Sequence, residues 1–196
     1  MWFDERDSTF PFHFGSASSS YVIESCLTRS LEAYTTRARR VICLGDSFHD
    51  AEGPARLDPA AGQVLAGLAT GADWLWITGN HDGASAAMLG GTALEELELD
   101  GVMLRHEARA GWPGAELSGH FHPKWAVVAR GRRITRPCAV LAGKRLILPA
   151  FGAYTGGLLA DDPAIRAALA PARTLAAIVA AGTRALQYPL ASTVSA

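Results

Sequence analysis

Asp73-Trp74-Leu75-Trp76-Ile77-Thr78-Gly79-Asn80-His81-Asp82 is the stretch on which the fold turns. Its first six residues run almost unbroken through apolar and β-prone side chains, the pattern of a strand buried on both faces, and Gly79 stops it. An amide, an imidazole and a carboxylate follow at once. Val41-Ile42-Cys43-Leu44 has the same form: a short apolar run that ends at Gly45 and is followed by Asp46-Ser47-Phe48-His49-Asp50. Between the two runs, Asp58-Pro59 supplies an N-cap and a first-turn proline for a helix to about Thr70. Upstream, Ile23, Leu27, Leu31, Tyr34 and Ala38 stand at helical spacing and predict an amphipathic helix over residues 22–38, ending near Arg39-Arg40.

After Gly79 the period shortens. Val102–His106, Glu116–Gly119, Trp125–Ala129, Cys138–Leu141 and Arg145–Leu148 read as short strands between Gly and Pro turns. Pro163–Ala170 reads as a short helix, Leu175–Ala181 is too alanine-rich to assign, and residues 189–196 read as a loose tail. Strand, helix, strand and then a run of strands predicts an α/β sandwich in one domain, residues 1–196. Reactive residues at the carboxyl ends of apolar strands suit the usual placement of sites in such sheets.

Composition narrows the function classes. Apolar residues make up 49% of the chain and charged residues 19%, an ordinary globular balance, and the net charge of −1 exerts no global pull on nucleic acid. No apolar run approaches a membrane span and no signal peptide is visible, so a cytoplasmic location without membrane association is expected. Cys26, Cys43 and Cys138 stand far apart and suggest neither a disulfide framework nor a thiolate zinc site. One local bias stands out: Arg130-Gly131-Arg132-Arg133-Ile134-Thr135-Arg136. It reads as a solvated hairpin edge guarded against aggregation, or as a phosphate-contacting strip if a nearby site handles phosphodiesters.

The histidines point to chemistry. Taken singly, each of His13, His49, His81, His106, His120 and His122 reads as a surface or satisfied core residue; their contexts change that. Asp46 and His81 follow strands, His106 follows Val102-Met103-Leu104, and His120 and His122 sit in Gly119-His120-Phe121-His122-Pro123. A carboxylate can bridge two divalent cations and imidazoles favour zinc, iron and similar metals. On an extended segment His120 and His122 would point to one side and face one cluster. Asn80 offers a neutral oxygen ligand, and Asp82 can orient His81 by accepting its second ring N–H.

In this order, Gly-Asp, Gly-Asn-His-Asp, a lone His after a strand, and Gly-His-x-His resemble the calcineurin-like metallophosphoesterases. The resemblance runs from about Arg40 to about Leu158. It is closest to the bacterial ligase-associated subgroup described as DNA-damage-response endonucleases, through Gly45–Asp50 and Leu148-Pro149-Ala150-Phe151-Gly152-Ala153-Tyr154-Thr155-Gly156-Gly157. It implies a sandwich of two β-sheets flanked by helices, and two divalent metal ions, Mn2+ before Zn2+ or Fe. Asp46 would bridge the ions, Asn80, His106 and His120 would complete one site, and His122 would bind the other. His81, with Asp82, would serve catalysis; His49, three residues past Asp46, reads either as a substrate contact or as a supporting or surface residue. The implied reaction is phosphodiester hydrolysis by a metal-activated water, on DNA in a repair setting with a DNA ligase/helicase system.

The N-terminus departs from the family pattern. An Asp-x-His is expected at the end of the first strand, and this chain has none. Pro11-Phe12-His13 is the nearest match, with His13 in place of the motif histidine and proline where the aspartate belongs. Residues 1–22 are thus divergent, and three readings stand: a weakened or one-metal phosphodiesterase, a phosphomonoesterase of the same class, or a degenerate homologue that binds metal and a partner.

Overall fold

Alternation within the two apolar runs sets the layers. Strands β1 (Arg40–Cys43) and β2 (Asp73–Ile77) pair in parallel, with Val41 opposite Trp74 and Cys43 opposite Trp76. Successive side chains leave opposite faces of a strand. Val41, Cys43, Trp74 and Trp76 therefore go to one side, where they meet Phe48 and the Leu68 and Ala69 of helix α1 (Pro59–Gly71). Ile42, Leu44, Leu75 and Ile77 go to the other, against Leu104, Ala139 and Leu148 of a second sheet. Helix α1 starts as expected: the Asp58 carboxylate accepts the Ala60 N–H at 2.9 Å, and Pro59 fills the first turn. Strand β3 (Thr92–Leu94) adds to β2 in parallel and completes a three-stranded sheet.

The chain is described here by a computed structural model that covers residues 39–151, 156–181 and 184–191. The expected helix over residues 22–38, His13, and the last five residues of the expected tail lie outside the described residues.

The second sheet is built from β4 (Glu96–Leu99), β5 (Val102–Arg105), β6 (Ala115–Ser118), β9 (Ala139–Ala142), β10 (Arg145–Ile147), β11 (Leu175–Ala181) and β12 (Arg184–Leu190). Its order is β12-β11-β9-β10-β6-β5-β4, with β5, β6 and β10 mutually parallel and the rest antiparallel. The outer face of this sheet buries Val140, Ile147 and Ala177 against Ile165 of helix α2 (Pro163–Ala168) and Leu169. The result is the expected α/β architecture, a sandwich of two sheets flanked by helices.

Two details depart from the sequence reading. The unassigned alanine-rich run is strand β11, whose small side chains fit where Leu175, Ala177 and Val179 pack into the outer core. Strand β12 then pairs with it through Pro189 and Leu190, so the loose tail does not begin at residue 189. The arginine-rich stretch forms a separate ribbon of β7 (Lys124–Ala129) and β8 (Arg132–Pro137). Arg130 and Gly131 both have positive φ, 51° and 73°, which is the two-residue turn that suits the twist of paired strands.

Next to the site strands lies a buried charge cluster. Glu116 on β6 is 2% exposed and meets Arg145 Nη2 at 2.6 Å and Arg105 Nη1 at 3.3 Å. Arg145 also donates to the carbonyls of Arg109 at 2.8 Å and Ala168 at 2.9 Å, tying β10 to α2. Arg105 stacks on Trp112, 4.5 Å from the ring centre. Removing the Glu116 charge leaves the buried Arg145 without its carboxylate and Arg105 with Glu96 alone, at 3.3 Å. Glu116→Gln is expected to lower stability by about 3–5 kcal/mol, read as a shifted urea midpoint; a shift of under about 1 kcal/mol would show that water reaches the two arginines.

Candidate metal centre

Five residues picked out by sequence pattern stand on four loops, each just past the carboxyl end of a strand: Asp46 after β1, Asn80 after β2, His106 after β5, and His120 and His122 after β6. Two of these loops come from each sheet, so the site lies across the top of the sandwich. Asp46, His120 and His122 hold left-handed backbone, with φ of 48°, 66° and 48°. Non-glycine residues adopt this conformation at a cost, and such positions gather at functional sites.

The loops are pinned by one carboxylate. Asp82, 2% exposed, accepts the backbone N–H groups of Ser47 at 2.6 Å, Phe48 at 3.2 Å and Gly79 at 3.3 Å. It therefore joins the loop after β1 to the loop after β2. This corrects the expectation that Asp82 holds the His81 ring: its oxygens are turned to the backbone, and it is a positioning residue. The His81 ring lies 4.0 Å from Asp46 Oδ2 and stacks on His49, ring centres 5.8 Å apart. The backbone N–H of His81 donates to Asp46 Oδ1 at 3.0 Å, which leaves Oδ2 for the site.

His106 is the hub. Its Nδ1–H donates to the Leu44 carbonyl at 2.7 Å, which turns Nε2 toward the other loops. Around Nε2 stand Asn80 Oδ1 at 2.9 Å, His120 Nδ1 at 3.1 Å and Asp46 Oδ2 at 3.2 Å. Ligand atoms of Asp46, His106 and His120 all lie within 4.8 Å of one another. Two oxygens and two ring nitrogens thus aim lone pairs at one small volume, an arrangement that needs a positive charge in its midst. A proton on Nε2 answers part of that need; a divalent cation answers all four groups at once. The residues present fit such an ion.

Electrostatics agree with this geometry. Burial alone would raise the Asp46 carboxyl, but its hydrogen bonds and charge contacts with His106 and His81 outweigh burial and hold it at about 2. Burial works against protonation of His106 as well, yet Asp46 and the Leu44 carbonyl raise its pKa above the ordinary imidazole value. His120 moves the other way, lowered by burial and by the neighbouring His106. His122 is pushed down to about 4, chiefly by burial, with Asp46 opposing and His120, His106 and Lys124 adding to the fall. At neutral pH the Asp46 carboxylate is ionised and the His122 imidazole is neutral, while His106 is drawn toward its protonated form by Asp46.

His120 and His122 reach the site by a different route from the one expected. They do not share a face of an extended segment. Each sits at a left-handed turn in the loop after β6, and only His120 joins the Asp46–His106 group. That loop is shaped by a residue whose role the sequence did not reveal. Gly157, φ 137°, lies against the backbone of His122, and a Cβ there would drive into the His122 carbonyl oxygen. The glycine-rich stretch read as a subgroup feature thus has a packing reason. His49 is exposed beside His81 at the rim of the site.

Among solved structures, the chain is similar to the crystal structure of a nuclease, MPE, from Pseudomonas putida. The two share 28% sequence identity and a TM-score of 0.64, over 91% of this chain and 84% of that one. No family model and no curated protein matches the chain. Among the described residues, no helix is long and apolar enough to cross a membrane.

Two outcomes test this account. Asp82→Ala is expected to weaken divalent-metal binding about 10–100-fold, measured by calorimetric titration, because the loops bearing Asp46 and Asn80 lose their common anchor. In metal-free protein, His122 is neutral when folded down to about 4 and protonates near the ordinary imidazole value when unfolded. The unfolded chain therefore binds the extra proton between these limits, so stability present above pH ~6.5 is lost as pH falls toward ~4. Denaturation curves across that window should show the slope, and His122→Asn should flatten it.

Proposed function

We propose that this protein is a metal-dependent phosphodiesterase, most specifically a nuclease, belonging with the calcineurin-like enzymes that its motifs resemble. One observation carries the proposal: Asp46, Asn80, His106 and His120 converge on a single cation-sized volume at the carboxyl ends of strands from both sheets. The likeness to a nuclease at 28% identity over 91% of the chain supports the same reading.

In this reading Asp46, Asn80, His106 and His120 would hold one divalent cation, and His122, with Asp46, would help hold a second. His13 is the candidate to complete the second position; it lies outside the described residues. Divalent cations, with Mn2+ favoured, supply charge for the phosphate oxygens and lower the pKa of a bound water. The chain supplies the rest. His81, 44% exposed at the edge of the site, would give a proton to the leaving alkoxide. Its stacked neighbour His49 would offer a further contact for substrate. Asp46, ionised down to about 2, keeps its charge throughout the physiological range. A place in a cytoplasmic DNA-repair system with a ligase and a helicase follows from the subgroup resemblance.

Hydrolysis of bis-p-nitrophenyl phosphate with Mn2+ tests the class. Turnover is expected, with Asp46→Asn lowering it by roughly 10^3 or more and His81→Ala by roughly 10^2–10^4. Preference for the monoester would move the protein to the phosphatases. Bound metal with no turnover of either ester would identify a degenerate homologue, as Pro11 in the aspartate position suggests.

A further inference from the structure

Charge is distributed unevenly along this chain. Residues 117–160 carry seven lysines and arginines and no aspartate or glutamate, so all 19 acidic residues lie elsewhere. The net charge of −1 conceals this segregation. Five of the seven basic residues belong to the β7–β8 ribbon, Lys124 at its base and the four arginines Arg130, Arg132, Arg133 and Arg136, and every residue of β8 is exposed. Among the described residues, none of these four arginines meets a carboxylate in an ion pair, whereas Arg40, Arg56, Arg105, Arg109 and Arg145 all do.

Register places the charges. Residues opposite one another across the ribbon share a face. Arg132 and Arg136 lie on one face together with Ile134, and Arg130 caps the tip. Arg133 is on the other face and lines a cleft of about 300 Å³ that Asp161 also lines, so Arg130, Arg132 and Arg136 are the residues at issue. Four residues along a strand separate Arg132 from Arg136 by about 13 Å.

The ribbon is joined directly to the metal centre. Its first residue, Lys124, comes two positions after His122, and its charge is felt at that imidazole. At the base, Cys138 N–H donates to the Pro123 carbonyl at 3.0 Å, and Lys124 exchanges backbone hydrogen bonds of 2.8 Å with Leu158 and Ala160. Trp125 stacks on Tyr188, ring centres 4.3 Å apart, and seats the base on β12. Six residues of strand then carry the tip about 20 Å from this anchor.

We infer that the β7–β8 ribbon is an arm that holds a polynucleotide by its phosphates while the metal centre acts on one diester of the same strand. This rests on the phosphodiesterase reading above and adds the surface that makes a polymer the better substrate. A two-stranded ribbon fits the major groove of a duplex. A duplex presents one charge per about 1.7 Å of axis, so a 13 Å span of guanidiniums meets several phosphates. Guanidinium groups pair with phosphate oxygens in a fixed two-pronged geometry, which suits arginine better than lysine for this task. The aggregation-guarding role of the same arginines explains their exposure but not the clearing of every acid from 44 consecutive residues.

The test uses the full chain loaded with Mn2+, comparing wild type with R130Q/R132Q/R136Q and with R130K/R132K/R136K. Binding of a fluorescent phosphorothioate duplex of about 24 base pairs, which resists cleavage, is followed by anisotropy over a range of salt. Bis-p-nitrophenyl phosphate turnover is measured on the same preparations. The glutamine variant is expected to bind the duplex at least tenfold more weakly, with the log Kd against log salt slope reduced by about three. Its small-diester kcat/KM should stay within about twofold of wild type, which also reports an intact fold. The lysine variant should recover most of the salt slope. Unchanged duplex affinity and slope in the glutamine variant overturn the inference, as does tighter capture of anionic lipid vesicles or polyglutamate than of the duplex by the wild-type ribbon. Absence of small-diester turnover in the wild type overturns the phosphodiesterase reading instead, and the binding arm still decides the ribbon.

Discussion

The carboxylate of Asp82 fixes the geometry on which the site depends. Three backbone N–H groups from two loops converge on it, and those of Ser47 and Phe48 would otherwise be buried donors in need of a partner. Because Ser47 and Phe48 follow Asp46, and Gly79 precedes Asn80, this one side chain sets the separation of two metal-ligand candidates. Its burial raises its own pKa, opposed by the same N–H groups, so the anchor is held by hydrogen bonds rather than by a cationic neighbour. Leu44 performs a similar service on the other side: its carbonyl takes the Nδ1 proton of His106 and presents the opposite nitrogen.

Much of this was legible in the sequence, for reasons that can be named. Val41–Leu44 and Asp73–Thr78 are apolar on both faces because both faces are covered, one by α1 and one by the second sheet. Chemistry-bearing residues directly after such runs had to emerge at the same edge of the sheet. Asp46, Asn80, His106 and His120 do come together. What failed was local geometry. The spacing of His120 and His122 suggested one face of an extended segment, but left-handed backbone at both residues turns the loop twice. Asp82 was assigned to the wrong partner because sequence adjacency to His81 says nothing of where a buried carboxylate finds its donors.

Strand β4 shows a different kind of miss. Glu96-Leu97-Glu98-Leu99 alternates cleanly, with the leucines half-buried and the glutamates exposed, yet this strand is only four residues long and is absent from the expected strands. Strand β11 was obscured by its alanines, which carry no β-preference of their own and fit only because the outer core there has little room. The buried Glu116 cluster was invisible for a more basic reason. Nothing in the local sequence of Arg105, Glu116 or Arg145 tells that 40 residues of chain bring them into one dry pocket.

Asp46 and Asn80 belong to the three-stranded sheet, while His106 and His120 belong to the seven-stranded one. An ion seated among them would act as a rivet between two bodies that otherwise meet through apolar contacts and a few polar ones centred on His106. Ligand binding to the native state alone adds to its stability in proportion to the logarithm of ligand concentration. The mechanical union of the two halves would then follow the metal content of the surroundings. In metal-poor conditions the seam between the sheets would lack that rivet at the edge where Asp46, Asn80, His106 and His120 meet.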